Sequence, residues 1–196
     1  MKRILDLIAS GVGLIILFPV VLLIAILIKM DSKGPVFFRQ VRVGKNNKDF
    51  RMFKFRTMHT GSDKGRQITV GDRDPRVTRV GYYIRKLKLD ELAQLINVFI
   101  GDMSLVGPRP EVRKFVNYYS EEQMKVLTVR PGITDQASIQ FVGESELLAQ
   151  ANDPETYYIE EIMPKKLNLN LEYIRDQSFF GDIKLIFRTF FAILKK

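Results

Sequence analysis

The longest unbroken pattern in the chain is apolar: from Leu7 to Ile28 no residue carries a charge, and Pro19 lies near the middle of the run. As a helix rising about 1.5 Å per residue the run reaches roughly 33 Å, close to the thickness of a bilayer's hydrocarbon core. Lys2 and Arg3 precede it, and Lys29, Lys33, Arg39 and Arg42 follow it, so both flanks prefer the cytoplasmic side of a membrane. A helix broken at Pro19, where the ring removes a backbone donor and crowds the preceding turn, meets that preference by entering one leaflet and turning back. The pattern therefore predicts a re-entrant membrane anchor over residues 1–31, a helix, a break at Pro19 and a second helix, with a single span as the alternative. A cleaved leader fits less well, because the run is long and passes into Ile28-Lys29-Met30-Asp31 without a small-residue cleavage pattern.

Beyond the anchor the period shortens to two. Val36 to Val43 and Phe50 to Thr57 are rich in Val and Phe and flank Gly44-Lys45-Asn46-Asn47-Lys48, which reads as a β-hairpin. In its second strand Phe53 and Phe55 face one side while Lys54 and Arg56 share the other. The polar stretch from Gly61 to Pro75 reads as a surface loop. From Val80 the period becomes helical, with Leu92, Leu95, Ile96 and Phe99 on one face and Gly101 as the stop. Pro110-Glu111 suits the first turn of a helix reaching Tyr119, and Ser120 with Gln123 is a capping box that opens the next. Asp153-Pro154-Glu155 marks a further helix start, and Pro164 interrupts the segment beyond it. Leu167, Leu169 and Leu171 alternate like a strand, while Glu172 and Tyr173 also fit a helix. Over residues 182–196, Ile183, Ile186, Phe187, Phe190 and Ile193 form a stripe beside Lys184, Arg188, Lys195 and Lys196. That composition suits a helix lying in a membrane interface and equally a terminal helix docked on the core. Together these elements predict an α+β fold, mainly helical: a re-entrant membrane helix, a small β-hairpin, and a compact cytoplasmic domain over residues 32–196 with amphipathic interfacial helices.

A formal charge of +9 and a pI near 9.7 point to an anionic partner: nucleic acid, an acidic membrane surface or a phosphorylated small molecule. The anchor favours the last two, and no zinc-finger spacing or other nucleic-acid motif is present, so nucleic acid is not expected as a partner. The chain has no cysteine, which excludes disulfides and thiolate metal sites.

Three clusters carry candidate chemistry. Asp90 and Glu91 are adjacent acids just before the apolar period of residues 92–99, with Arg85, Lys86 and Lys88 upstream. Acids in a first helical turn commonly complement the helix dipole. As chemistry, neighbours about 100° apart on a helix take separate roles, one attacking and the other holding a metal. In the segment from Gly101 to Glu111, Arg109 directly precedes an expected helix start, where free N–H groups and an arginine fork make a phosphate site. Arg130-Pro131-Gly132-Ile133-Thr134 is a second arginine fixed by a rigid turn. His59, the only histidine, reads as a polar surface group.

The anchor, Lys54-Phe55-Arg56-Thr57-Met58, Leu89-Asp90-Glu91-Leu92, Gly101-Asp102-Met103-Ser104-Leu105-Val106-Gly107-Pro108-Arg109-Pro110 and Arg130-Pro131-Gly132-Ile133-Thr134 occur in that order. This set resembles the bacterial sugar transferase family, the monotopic polyprenol-phosphate phosphoglycosyl transferases, over nearly the whole chain. The resemblance implies an enzyme that transfers a sugar-1-phosphate from a UDP-sugar to a polyprenol (undecaprenyl) phosphate, releases UMP and requires Mg2+. That is the first membrane step in assembling a glycan such as a capsule, O-antigen, exopolysaccharide or glycoprotein. It implies Asp90 as the nucleophile forming an aspartyl-phosphosugar, Glu91 as the metal-associated acid, and Arg56, Arg85, Arg109 and Arg130 as phosphate-binding groups. The expected place is the cytoplasmic face of the bacterial inner membrane, in contact with lipid. A complete amino-terminal start and one long apolar run favour a self-contained enzyme over a piece of a multi-span transferase. Two positions depart from the family pattern. Phe18 precedes Pro19 where serine is frequent, and Asp135-Gln136-Ala137-Ser138 stands where many members have Gly-Trp-Ala-Gln, so sugar recognition differs there. Sugar identity and oligomeric state are not written in these motifs. A membrane-anchored basic protein that binds lipid phosphates or nucleic acid without chemistry is the competing reading.

Overall fold

A computed structural model describes residues 2–62 and 74–194. Its first element, α1 (Lys2–Asp31), is one helical element with Pro19 inside it. A proline removes one hydrogen bond from the ladder and is a common place for a helix to bend. One side of α1 is buried, at Asp6, Ser10, Ile24 and Ile28, while Ile4, Ile8, Ile15, Ile16, Phe18, Leu22, Leu23 and Met30 are exposed. The helix is long and apolar enough to cross a membrane.

Both ends of α1 are fastened to the polar body. At the start, Lys2 pairs with Asp182 at 2.5 Å, Arg3 donates to the carbonyls of Val98 and Phe99, and buried Asp6 accepts from Ser104 Oγ and the Leu105 N–H. At the end, Ile24 and Ile28 join Phe55, Ile84 and Ala93 in one apolar cluster, and Asp31 accepts the Val80 N–H at 3.1 Å.

The hairpin forms as the period of two predicts: β1 (Phe37–Val43) pairs antiparallel with β2 (Asp49–Phe55) from Phe37 opposite Phe55 to Val43 opposite Asp49. The next helices are α2 (Arg79–Lys86), capped by the Thr78 side chain, and α3 (Gln94–Ile100), which stops at Gly101 in the left-handed region (φ 101°). α3 packs along α1, and a Cβ on Gly11 would lie 3.3 Å from the Phe99 ring. Of the expected loop from Gly61 to Pro75, residues 63–73 lie outside the described residues.

A second sheet was not foreseen. β3 (Ser104–Val106) and β4 (Gly132–Thr134) pair in parallel, which brings two of the sequence motifs together. The approach is so close that a Cβ on Gly132 would lie 2.1 Å from the Gly107 nitrogen, a distance only glycine permits. The helix expected from Pro110 to Tyr119 shrinks to α4 (Arg113–Val116). The capping box does form, with reciprocal bonds between Ser120 and Gln123, but it opens a 3-10 segment, Gln123–Thr128.

The remaining elements are α5 (Gln136–Gln140), α6 (Glu144–Gln150), α7 (Pro154–Tyr157), a π turn Tyr158–Ile162, α8 (Met163–Arg175) and α9 (Phe179–Leu194). Asp153 caps α7 as its sequence predicts. Pro164 does interrupt the regular ladder: α7, the π turn and α8 run on without a gap, Ile162 and Met163 are themselves helical, and the π turn falls directly before the proline. Leu167, Leu169 and Leu171 are helical. α9 docks through Asp182 and Leu185, leaving Phe180, Phe187, Phe190 and Phe191 exposed; its Lys195 and Lys196, and the Ile193 side chain, lie outside the described residues. The fold is thus mainly helical, with two two-stranded sheets.

Candidate active site

α2 ends at a sharp reversal. Lys88 takes a left-handed conformation (φ 56°), and Leu89–Ala93 follows as a 3-10 turn instead of the first turn of an α-helix. A left-handed non-glycine residue is unfavourable, and here it swings Asp90 and Glu91 into a cavity of about 1490 Å3. In a 3-10 turn consecutive side chains point about 120° apart, so the two carboxylates diverge.

Glu91 meets Arg109. Nη1 donates to Oε2 at 3.2 Å and Nη2 to Oε1, a two-pronged fork of the strongest geometry available to this pair. Burial pushes the Glu91 carboxyl up, but the Arg109 charge and fork, with Lys54, outweigh it and hold Glu91 at about 2. The Glu91 charge in turn raises the Arg109 guanidinium further. Asp90 has the opposite fate: burial pushes its carboxyl above the usual range, Lys54 opposes the shift, and the Glu91 charge adds to it. Asp90 makes no hydrogen bond to a described residue, and its carboxylate is available in the cavity.

Lys54 projects from β2 into the same cavity. Burial pulls its ammonium down to about 8, against the pull of Glu91, so it remains cationic near neutrality. Arg85, on α2, lines the cavity and acts on Asp90 as a positive charge. Among the described residues no three acidic or histidine side chains gather into a metal cage. Asp90 and Glu91 still offer hard carboxylate oxygens, and a magnesium ion typically takes one or two of these and completes its shell with water and substrate phosphate.

The Arg109 backbone is placed by a residue not foreseen as part of the site. Asp135 is fully buried; Oδ2 accepts the Arg109 N–H at 3.1 Å, and Oδ1 accepts the Ser138 N–H at 2.6 Å, capping α5. Glu111, two residues beyond Arg109, accepts from Arg42 Nη1 at 3.1 Å and from the Tyr158 hydroxyl. No helix starts at Arg109, so the expected helix N-terminus is not part of the phosphate site.

The family model for bacterial sugar transferases matches residues 1–196. The chain belongs to the bacterial sugar transferase family. The UDP-N-acetylgalactosamine-undecaprenyl-phosphate N-acetylgalactosaminephosphotransferase of Aeromonas hydrophila is 41% identical to it over 196 residues, 98% of this chain and 43% of that protein. The UDP-glucose:undecaprenyl-phosphate glucose-1-phosphate transferase of Escherichia coli is 38% identical over 195 residues, 97% of this chain and 39% of that protein. The protein of the same description from Caulobacter vibrioides is 37% identical over 198 residues, 98% of this chain and 69% of that protein. The chain thus spans less than half the length of the first two relatives.

In this member of the family the cavity unites Asp90, Glu91, Arg85 and Arg109 and leaves out two of the expected phosphate groups. Arg56 is buried against the end of α1, where Nη2 donates to the Ser32 carbonyl at 2.7 Å and Nη1 to the Lys33 carbonyl. A cation at a helix C-terminus neutralises orphan carbonyls, and that is the place the structure assigns to Arg56. Arg130 is exposed and donates from Nε to the Gly101 carbonyl at 2.8 Å, bracing the turn after α3. Lys54 and Arg56, two residues apart at the end of β2, reach different places: Lys54 lines the cavity and Arg56 the end of α1. The alternation sets Lys54 opposite Phe53 and Phe55 and gives no sign that it enters the cavity. Asp135 stands in the sequence only as part of the departure from the family pattern at residues 135–138, with nothing to link it to Arg109. His59 is exposed and does not line the cavity.

Proposed function

We propose that this sugar transferase moves a sugar-1-phosphate from a UDP-sugar to a polyprenol phosphate, such as undecaprenyl phosphate, and releases UMP. The observation that carries the reading is the Asp90 carboxylate, which bonds to no described residue, standing among Lys54, Arg85 and the Arg109–Glu91 fork. An Asp90 oxygen attacks the sugar-bearing β-phosphorus, a new O–P bond forms, and the bond to the bridging oxygen breaks so that UMP departs. A phosphate oxygen of the polyprenol then attacks the same phosphorus and expels the Asp90 carboxylate, leaving a polyprenyl diphosphate sugar. Both steps bring anion to anion. Fixed cations that need no reorganisation lower that barrier, and Lys54 also favours the ionised form of Asp90. Arg109 holds Glu91 in place, and Glu91 is the residue that would hold Mg2+; the ion would supply charge to the departing phosphate. Splitting the transfer through a covalent carboxyl phosphate lets one site serve two bulky substrates in turn.

The protein works at the cytoplasmic face of the bacterial inner membrane, where the acceptor phosphate lies. A re-entrant anchor requires α1 to bend at Pro19, and the packing of both its ends against the same polar body supports that reading. The exposed phenylalanines of α9 supply an apolar face suited to the lipid interface. The test is a panel of UDP-sugars with Mg2+ and one polyprenol phosphate, read by UMP. The reading expects acceptor-dependent UMP from at least one donor. No UMP from any donor favours a protein that binds lipid phosphates without chemistry.

A further inference from the structure

Buried polar atoms in a folded protein almost always have a hydrogen-bond partner, and exceptions call for an explanation. Among the described residues four such side-chain atoms have none: Arg56 Nε, Gln94 Nε2, Ser138 Oγ and Asn170 Oδ1. Only the last two belong to residues that line the cavity holding Asp90. Asn170 is 5% exposed, on α8, and Ser138 is on α5, which packs against α8.

We propose that Ser138 and Asn170 form the subsite for the saccharide of the donor, with Asn170 Oδ1 accepting a hydroxyl or amide hydrogen of the sugar and Ser138 Oγ completing the contact. The inference rests on the reading under Proposed function. The two groups are neutral, so they do not suit the diphosphate, which has Lys54, Arg85 and Arg109. A polyprenyl chain has no hydrogen to donate. A saccharide has several, and an amide oxygen without a protein partner favours a ligand that satisfies it. The relatives also differ in the sugar their descriptions name, N-acetylgalactosamine in one and glucose in another, whereas both descriptions name a UDP donor, so recognition of the sugar has its own residues. Asp135 links this subsite to the chemistry: its carboxylate holds the Ser138 N–H on one oxygen and the Arg109 N–H on the other.

The test uses the full chain in lipid nanodiscs, in an Asp90→Asn background so that donor is not consumed, with Mg2+ throughout. Binding of UDP-glucose, UDP-N-acetylgalactosamine and UMP is measured for Asn170→Leu, Ser138→Ala and their parent, alongside thermal unfolding. Each variant is expected to weaken the better-bound UDP-sugar roughly tenfold, the loss of about one hydrogen bond. UMP binding stays unchanged, and the melting temperature is held or raised because no native partner is lost. Equal weakening of UMP would assign the atoms to the nucleoside and overturn the proposal, as would unchanged UDP-sugar binding. A fall in melting temperature would show that the fold itself satisfies them, with the same consequence. A parent that binds UMP and UDP-sugar equally well overturns the subsite alone, whereas a parent that binds neither UDP-sugar nor UMP overturns the donor reading beneath it.

Discussion

Asp135 holds Arg109 by its backbone: the Arg109 N–H lies 3.1 Å from Oδ2 of a carboxylate with no solvent exposure. The Arg109 side chain then forks onto Glu91. A buried anion therefore sets the position of the cation that holds Glu91, the acid proposed to carry Mg2+. Asp135→Ala leaves two buried N–H groups without a partner and should cost about 1–3 kcal/mol of stability. Turnover should fall by at least about tenfold, because small displacements of positioned groups are costly. Asp135→Asn keeps two acceptor lone pairs on one oxygen and should fall between the two. Thermal melts and initial rates of UMP release separate these outcomes; wild-type rates in Asp135→Ala would remove Asp135 from the positioning chain.

Arg109→Lys preserves charge and deletes the fork. A lysine cannot bond both Glu91 oxygens in one plane, so the account expects a loss of roughly 100-fold in turnover, the order seen when one preorganised donor is removed. A substitution with near-normal turnover means that charge alone suffices at this position.

Lys54 is a cation the fold buries at a cost, since its ammonium is pulled down to about 8. Lys54→Met should therefore leave the melting temperature unchanged or higher, while turnover drops by roughly 100- to 1000-fold through loss of a preorganised positive group. Arg56→Met should behave in the reverse way. It uncovers the carbonyls at the end of α1, so stability falls first and the donor's KM changes little.

The absence of native cysteine makes topology directly testable. Cysteines introduced singly at Lys2 and Lys33 should both react with an impermeant thiol reagent only from the cytoplasmic side. Labelling of the Lys2 position from the opposite side would mean that α1 spans the bilayer.

Local features were legible in the sequence. The apolar run gives α1, the period of two gives β1 and β2, and Gly101, Ser120 with Gln123, and Asp153 act as stops and caps because each needs only neighbours in the chain. Long-range features stayed hidden. β3 and β4 are three residues each, too short to show a period, and exist because Gly107 and Gly132 let two loops touch. Arg56 and Arg130 look like Arg109 in sequence, yet one closes a helix end and another a turn; only the fold distinguishes an arginine beside carbonyls from one beside a carboxylate. Pro19 carries a strong breaking propensity and yet lies within α1, flanked by the exposed Phe18 and Val20.

The central claim is that Asp90 becomes covalently phosphorylated by the sugar-phosphate. It is tested most directly by intact-mass analysis of the full chain after exposure to a turned-over UDP-sugar and Mg2+ with no polyprenol phosphate. The account predicts an added mass of one sugar-phosphate, mapped to Asp90, stoichiometric with a burst of UMP, chased off by polyprenol phosphate and missing in Asp90→Asn. Acceptor-dependent turnover with no adduct, or an adduct that persists in Asp90→Asn, would contradict it.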